Sequence, residues 1–220
     1  MQIIFISLVS YLIGSIPWAV LIGKAFYKID VRTKGSGNMG STNTFRTFGW
    51  RAGLAVQILD ILKGAGAVLF ATWMFNGNLP FHNATPFDDS TIVKTIAGCC
   101  AVIGHVWTIF GGFKGGKGIN TAVGMLLSIA PIELAVAGGI FLLIVFASGY
   151  VSLGSIIAAL TLPTTMFVRY NFFKVEIPSY GTIVFFLIGL ALLIVFTHRT
   201  NISRLIKGDE NRFNKLKLFK

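Results

Sequence analysis

INTAVGMLLSIAPIELAVAGGIFLLIVFA, residues 119–147, is an apolar run of nearly 30 residues that is interrupted by Pro131 and Glu133. A helix that spans a membrane needs roughly 20 apolar residues. Because proline ends or kinks a helix, we predict that the run divides into two short crossings near residues 119–130 and 132–147. This division decides how many times the whole chain crosses the membrane.

The composition indicates a polytopic membrane protein. Hydrophobic residues make up 54% of the 220 residues and charged residues 12%, whereas a soluble domain usually has about a quarter charged residues. The net charge is +11. No basic run is interleaved with aromatic residues, so we expect no nucleic-acid partner and attribute the charge to loops that face anionic headgroups. The other apolar runs are Ile3–Ile22, Gly53–Phe75, Ile92–Phe110, Val151–Val168 and Gly181–Thr197.

The distribution of basic residues predicts the topology. Lys24–Arg51 contains six basic residues against Asp30 alone, and the tail from His198 onward is also strongly basic, whereas Asn76–Thr91 contains no Lys or Arg. By the positive-inside rule, the first loop and the tail are cytoplasmic and the amino terminus is external. An external start and a cytoplasmic end require an odd number of crossings, which the division at Pro131 provides.

We therefore predict an all-α integral membrane protein with seven transmembrane helices, an external amino terminus and a cytoplasmic carboxy terminus. It forms a single polytopic domain over residues 1–220. This topology places Arg169 and Lys174 on the external side, against the positive-inside rule, and the negative charge of Glu176 partly offsets them. Three unusual segments share the cytoplasmic face: residues 34–51, 110–121 and 198–212.

The first of these segments contains GSGNMGSTNTFRTFG, residues 35–49. Its glycines let the backbone turn with several N–H groups pointing toward one anion. Small polar side chains add hydrogen-bonding groups, and Arg46 supplies a planar fork that suits two phosphate oxygens. The alternative is a polar surface loop, but the density of glycine, serine and asparagine beside a membrane helix favours a phosphate site.

The second segment contains GHVWTIFGGFKGGKGINTAVG, residues 104–124. Gly111, Gly116 and Lys117 have the spacing of a nucleotide-binding P-loop, but Gly118 replaces the Ser or Thr that would hold Mg²⁺. A membrane helix also precedes the segment where a P-loop needs a strand. We therefore reject the P-loop interpretation.

Backbone N–H groups at the start of a new helix still form a phosphate site that needs no metal. Lys117 can reach such a phosphate as a point charge. The alternative is that Lys114 and Lys117 anchor lipid headgroups. His105, near the end of the preceding helix, is ambiguous between a substrate contact and a supporting hydrogen-bond partner.

The third segment is HRTNISRLIKGDENR, residues 198–212. His198, Asn201 and Arg204 recur every three residues, so they line one face if the segment is helical and could point toward the first two segments. Glu210 is expected to orient one of the arginines. The alternative is a solvated basic tail.

A weaker signal is DILKG, residues 60–64, within an apolar run. Charges inside a membrane helix are costly and are usually functional or paired. Asp60 and Lys63 are expected to pair with each other or with arginines of the loops.

In combination, GSGNMGSTNTFR, LDILKG, the Gly-His pair followed by KGGKG, and HRTNISRLIKGDE resemble the PlsY family, the bacterial acyl-phosphate:glycerol-3-phosphate acyltransferases. The resemblance covers nearly the whole chain with the motifs in order. Three departures are visible: the family usually has proline near Thr108, and alanine where this chain has Ser41 and Asn120.

The resemblance implies transfer of a fatty acyl group from acyl-phosphate to the sn-1 hydroxyl of glycerol 3-phosphate, giving lysophosphatidic acid in the first step of phospholipid synthesis. It implies a site on the cytoplasmic side of the bacterial inner membrane, and a partner enzyme that makes acyl-phosphate. Because acyl-phosphate is an activated mixed anhydride, no metal, nucleotide or other cofactor is expected.

Charge and position suggest roles for individual residues. Arg46 would hold glycerol 3-phosphate with Ser36, Asn201 and Arg204, while Lys117 would bind the donor's phosphate and stabilise it as it leaves. His198 would hydrogen-bond the attacking hydroxyl, unless the donor's own phosphate takes the proton. The predicted catalytic residues are His198, Lys117 and Asn201, and the predicted substrate-binding residues are Ser36, Arg46, Asn38, Thr42, Asn43, Gly115, Gly116, Gly118, Arg204 and His105.

Two functions from other classes fit part of the pattern. A transporter of small phosphorylated metabolites also uses glycine-rich helix ends, but its site lies near the bilayer midplane and an internal repeat is expected. A CDP-alcohol phosphotransferase needs a cluster of aspartates that bind metal, and only Asp60 lies inside an apolar run.

Overall fold

The structure is a computed structural model that describes residues 1–75, 77, 79, 83 and 88–212. Over these residues the chain forms α-helices, two 3₁₀ turns (Val31–Thr33 and Ile109–Gly111) and no β-strand, which confirms the all-α class. Most of the predicted external segment between residues 76 and 91, and the tail from residue 213, lie outside the described residues. The helices are α1 (Gln2–Ser15), α2 (Trp18–Tyr27), α3 (Ser41–Phe48), α4 (Trp50–Met74), α5 (Asp89–Val106), α6 (Ile119–Ile129), α7 (Pro131–Ser148), α8 (Val151–Asn171), α9 (Tyr180–Thr197) and α10 (Arg199–Lys207).

Among the described residues, six stretches are long and apolar enough to cross a membrane. They are α1 with α2, α4, α5 with the 3₁₀ turn that follows it, α7, α8 and α9. α6 has 11 residues, which rise roughly 16 Å, about half of a hydrocarbon core. The division of the long run at Pro131 is confirmed, because α7 begins at this proline. The predicted seven crossings and the orientation of the termini stay predictions.

The predicted first span, Ile3–Ile22, is interrupted in the structure. α1 ends at Ser15 and α2 begins at Trp18, because Pro17 has no N–H with which to continue the helix. The carbonyl of Ile16, in this break, accepts a 3.0 Å hydrogen bond from Lys63 Nζ on α4. Pro17 is present in the sequence, but the apolar run is long enough for one uninterrupted helix, so the break was not predicted.

The chain divides into two compact units, which are described separately. The first comprises Met1–Pro80 and Ile96–Ser128, and the second comprises Phe81–Thr95 and Ile129–Lys220. The expectation of one continuous domain stays a prediction.

In the first unit, glycines set the distance between crossing helices. α1 crosses α5, and α4 crosses α6, where a Cβ on the glycine would overlap a backbone carbonyl oxygen of the opposite helix. Small residues of this kind allow close helix contact in membranes, where no hydrophobic effect drives helices together. The facing pairs are Gly14 with Ala101, Gly104 with Tyr11, Gly64 with Thr121 and Gly124 with Ile61.

In the second unit, α8 packs between α7 and α9. Glu133 on α7 is 2% exposed and forms an ion pair with Arg169 on α8. Tyr170 stacks on Tyr180 with ring centroids 3.8 Å apart, which joins the end of α8 to the start of α9. The buried carboxylate therefore has a partner, as a charge within apolar helices requires.

Candidate functional site

The first motif is a glycine turn followed by a helix, and not one continuous loop. Residues 34–40 form the turn, and α3 follows it directly. Asn43 on α3 is 2% exposed and holds the turn in shape: its Oδ1 accepts a 2.9 Å hydrogen bond from the backbone N–H of Ser36. Its Nδ2 lies 3.0–3.2 Å from three carbonyl oxygens, those of Val31, Lys34 and Asn38. The amide of Asn43 therefore supports the turn, and its predicted contact with substrate stays a prediction.

Two side-chain hydrogen bonds join the first motif to the second. Asn38 accepts from the N–H of Gly40 at 2.9 Å and donates to the carbonyl of Gly115 at 3.4 Å. Asn120, in the first turn of α6, donates to Ser41 Oγ, in the first turn of α3, at 2.9 Å. The amino-terminal ends of α3 and α6 therefore lie side by side.

Each of these helix ends follows a glycine turn. The first N–H groups of a helix have no partner within it and carry a partial positive charge. Gly118, directly before α6, has φ +87, a conformation that side chains with a Cβ rarely adopt. Two adjacent helix N-termini behind glycine turns can bind an anion such as a phosphate group through backbone N–H groups.

The predicted site residues of the first unit lie on or beneath these turns. Ser36 and Arg46 are exposed, whereas Thr42 and Lys117 are half-buried. Gly116 and Gly118 are buried and Gly115 is half-buried. The backbone of residues 115–118 is therefore packed closely against neighbouring atoms.

Beneath the second turn lies a cluster of three ionisable side chains. Lys63 Nζ is 2.9 Å from Asp60 Oδ1, which confirms that these two residues pair with each other. His105 Nδ1 is 3.6 Å from the same oxygen, and the N–H of Gly116 donates to the His105 carbonyl at 3.0 Å. Although the sequence groups His105 with the substrate-binding residues, it is 6% exposed and contacts the turn from below.

In the second unit, Arg199–Lys207 of the third motif form α10, which meets the condition under which Asn201 and Arg204 share a helix face. Glu210, 8% exposed, connects this helix to the start of α8. Its Oε1 accepts hydrogen bonds from Asn201 Nδ2 at 2.7 Å and Ser152 Oγ at 2.9 Å, and its Oε2 accepts from Arg204 Nε at 2.7 Å. The expectation that Glu210 orients an arginine is thereby confirmed.

These bonds also set the protonation of Glu210. Burial raises the pKa of the carboxyl, but the hydrogen bonds from Asn201, Arg204 and Ser152 outweigh burial and hold the pKa below its ordinary value. Glu210 is therefore ionised at neutral pH and acts as a charged acceptor at the centre of this cluster.

His198 lies between α9 and α10 and is 2% exposed. Its Nδ1 is 2.8 Å from the carbonyl oxygen of Ile194. Since a carbonyl can only accept, Nδ1 carries the proton, and in the neutral imidazole Nε2 is the acceptor nitrogen. In this tautomer Nε2 can accept a proton, and the hydrogen bond at Nδ1 fixes the orientation of the ring.

Sequence reasoning missed three contributions to these clusters. Ser152 lies 58 residues from Glu210, and Asn120 lies 79 residues from Ser41, so no local pattern connects either pair. The bond from Lys63 to the carbonyl of Ile16 depends on the break between α1 and α2. Pro17 was the one feature of the sequence that could have predicted this break.

The fold and the geometry of the turns define a class: a polytopic helical membrane protein in which two adjacent helix N-termini behind glycine turns form a candidate anion site. Within the residues that the structure describes, no group of three His, Cys, Asp or Glu side chains is arranged to hold a metal ion.

Comparisons with known proteins identify the family. The family profile described as glycerol-3-phosphate acyltransferase matches residues 4–208. A protein named glycerol-3-phosphate acyltransferase from Chlorobaculum tepidum is 45% identical over 224 residues, which covers 95% of each chain. One from Chlorobium phaeobacteroides is 43% identical over 232 residues, with 96% of this chain and 97% of the relative covered.

Solved structures agree with the sequence relatives. The crystal structure of PlsY (YgiH), an integral membrane glycerol 3-phosphate acyltransferase in its glycerol 3-phosphate form, matches with a TM-score of 0.83 at 35% identity over 100% of both chains. The lysophosphatidic acid form matches with a TM-score of 0.80 at 34% identity, covering 99% of this chain and 98% of that chain. The chain belongs to the glycerol-3-phosphate acyltransferase family of PlsY type.

Proposed function

We propose that the protein transfers a fatty acyl group from acyl-phosphate to the sn-1 hydroxyl of glycerol 3-phosphate, forming lysophosphatidic acid and inorganic phosphate. The observation that carries the proposal is the hydrogen bond between Asn120 and Ser41, which brings together two helix N-termini that follow glycine turns. Acyl-phosphate and glycerol 3-phosphate both carry the kind of anion that such a site binds. The names of the relatives, and the two ligand forms of the solved PlsY structures, support the same reaction.

The chemistry requires little beyond positioning and charge stabilisation. The sn-1 hydroxyl oxygen attacks the acyl carbonyl carbon, and the bond between that carbon and the phosphate oxygen breaks. Phosphate leaves with the electron pair, and the hydroxyl proton passes to a base. Holding both reactants in place removes a large entropic part of the barrier.

The residues of the first unit divide between the two substrates in our proposal. Lys117 and the backbone around it at Gly115–Gly118, apart from the Gly116 N–H that donates to the His105 carbonyl, bind the phosphate of acyl-phosphate and stabilise it as negative charge develops on the leaving oxygen. Asn38 and Thr42 assist there. Arg46, with Ser36, binds the phosphate of glycerol 3-phosphate, because a guanidinium offers paired donors to two phosphate oxygens.

For the second unit we propose a base and its support. His198 takes the proton of the attacking hydroxyl at Nε2, the nitrogen that its Nδ1 contact with the Ile194 carbonyl leaves as acceptor. Asn201 and Arg204, which Glu210 holds in place, bind substrate beside this base. The competing route, in which the donor's phosphate takes the proton, gives the same products.

We further propose that the reaction needs no metal or cofactor and occurs at the cytoplasmic face of the bacterial inner membrane. Acyl-phosphate is already activated, so a metal is not needed to polarise it. An enzyme that produces acyl-phosphate is the expected supplier of the donor.

Donor competition tests the proposal. The purified protein is given glycerol 3-phosphate with palmitoyl-phosphate, palmitoyl-CoA or palmitoyl-acyl carrier protein, and the lipid product is identified by mass spectrometry and its acyl position by NMR. We expect 1-palmitoyl lysophosphatidic acid from palmitoyl-phosphate alone. Equal product from the thioesters, or acylation at sn-2, would contradict the proposed donor or the proposed acceptor position.

A further inference from the structure

Three ionisable side chains lie buried within apolar helices of the first unit, and the proposed reaction does not use them. Asp60 is 1% exposed, and Lys63 and His105 are each 6% exposed. Ionisable groups at such positions are costly unless paired, and their retention points to a function.

Asp60 lies beside one edge of the His105 ring. Its Oδ1 is 3.6 Å from Nδ1, within ion-pair distance but longer than a hydrogen bond, so Nδ1 is the ring nitrogen on the Asp60 side. Nε2 then faces the opposite way, toward Gly116, where it occupies the space that a Cβ on this glycine would need.

Lys63 fixes Asp60 in turn. Its Nζ bonds to Asp60 Oδ1 at 2.9 Å and to the Ile16 carbonyl at 3.0 Å, so the carboxylate is tied to the break between α1 and α2. Thr108, which follows α5, donates to the carbonyl of Ser15 at 2.5 Å. The end of α5, and with it His105, is thus held against the same break.

The glycine turn rests directly on this assembly. The N–H of Gly116 bonds to the His105 carbonyl at 3.0 Å, and a Cβ on Gly115 would overlap that carbonyl oxygen. A small, partly open cavity of about 10 Å³ lies between Asp60, Lys63, His105, the turn and the break between α1 and α2, and its volume is close to the space of one water. A displacement of the His105 ring is therefore transmitted to the turn and not absorbed.

We propose that Asp60, Lys63 and His105 are positioning residues, which act through one another to set the conformation of the turn at Gly115–Gly118. Through that turn they control affinity for the phosphate of acyl-phosphate. The second statement rests on the proposed function, whereas the first concerns the conformation of the protein and can be measured without catalysis.

Hydrogen–deuterium exchange in detergent tests the conformational statement. The variants are Asp60→Asn and the charge-neutral double variant Asp60→Asn/Lys63→Met, which leaves no unpaired charge and so keeps the test available if the single variant does not fold. We expect amide exchange in residues 112–120 to accelerate about tenfold in both. Glu133→Gln is the matched control, because it removes one partner of a buried ion pair in the other unit and should leave exchange at 112–120 unchanged.

A steric suppression test adds a readout that general destabilisation would not give. Gly116→Ala should clash with the His105 ring and raise the KM for palmitoyl-phosphate about tenfold, with kcat changed less than about threefold. His105→Ala creates room for the added methyl group. His105→Ala alone should raise the KM because a positioning residue is lost, but the KM of the double variant Gly116→Ala/His105→Ala should lie well below the product of the two single defects.

Each outcome decides the matter. Unchanged exchange in the double charge-neutral variant, or equal acceleration in Glu133→Gln, overturns the positioning role. Single KM defects that multiply fully in the double variant overturn the steric link. If the wild-type protein transfers no acyl group, the proposed function fails, and the exchange data still decide whether the cluster positions the turn.

Discussion

Asn120 Nδ2 donates a 2.9 Å hydrogen bond to Ser41 Oγ, and this bond joins the first turn of α6 to the first turn of α3. The two residues are 79 positions apart in the sequence, so this bond joins two distant motifs. Thr108 also uses its side chain, in a hydrogen bond to the carbonyl of Ser15. Side-chain hydrogen bonds thus connect the elements on both sides of the second glycine turn.

The Ser41–Asn120 bond should behave as a coupled pair. Ser41→Ala and Asn120→Ala should each lower stability by about 1 kcal/mol, since each leaves a polar group without its partner, and the double variant should cost little more than either single variant. Thermal unfolding of the four proteins in detergent measures the coupling. Strictly additive losses would show that the bond contributes nothing to joining the two helices.

His198→Ala should reduce kcat about 100-fold if Nε2 takes the proton of the attacking hydroxyl. Arg199→Ala is the matched control: its guanidinium lies over the Phe196 ring and has no role in the proposal, so turnover should be retained. Steady-state phosphate release measures both. If His198→Ala keeps most of the wild-type turnover, the proton goes to the donor's phosphate instead.

Glu210 should make stability depend on pH. Because its folded-state pKa lies below the ordinary 4.5, its stabilising effect is complete above the unfolded-state value and is lost as pH falls through the folded-state pKa. Glu210→Gln should lower stability by roughly 2 kcal/mol at neutral pH and flatten this acid dependence.

Melting temperatures between pH 3 and pH 7 check this prediction. Glu176→Gln serves as control, because Glu176 is exposed and should leave the acid dependence as in the wild type. A Glu210→Gln protein that loses stability on acidification as steeply as the wild type would assign the dependence to another group.

Gly124→Ala should destabilise the crossing of α4 and α6, because the added methyl group would overlap the Ile61 carbonyl oxygen. The expected loss is about 1–3 kcal/mol, the usual cost of overpacking. Gly138→Ala on α7 is the control, since a Cβ there meets no atom of the described residues within 4 Å. Melting temperatures compare the two, and equal values would show that the helices separate at little cost.

The sequence predicted the features that depend on local pattern. Apolar runs predicted the long helices, and Pro131 predicted the boundary between α6 and α7. The three-residue spacing in the third motif fits α10, but the sequence left a solvated tail as the alternative. It did not predict α3 within the first motif, because serine, threonine and asparagine favour turns as readily as helix starts. It also overlooked the break at Pro17 inside a run whose length alone indicated one helix.

Contacts between distant residues could not be predicted. Arg169 counted against the predicted topology as a basic residue on the external side, yet it pairs with Glu133, 36 residues earlier. Because Glu133 neutralises the charge of Arg169, this basic residue on the external side counts less against the predicted topology. For the same reason, the sequence did not show that the amide of Asn43 holds the turn at residues 34–40.

The most direct measurement is phosphate release from palmitoyl-phosphate by the purified protein with chelator present, with and without glycerol 3-phosphate. The account predicts release that requires glycerol 3-phosphate and survives chelation. It predicts a fall of about 100-fold or more in Lys117→Ala, because charge on the leaving phosphate loses its stabilising group, and little change in Lys114→Ala, an exposed lysine of the same segment. Folded protein that releases no phosphate, but carries glycerol 3-phosphate into vesicles, would contradict the account and establish the transporter alternative.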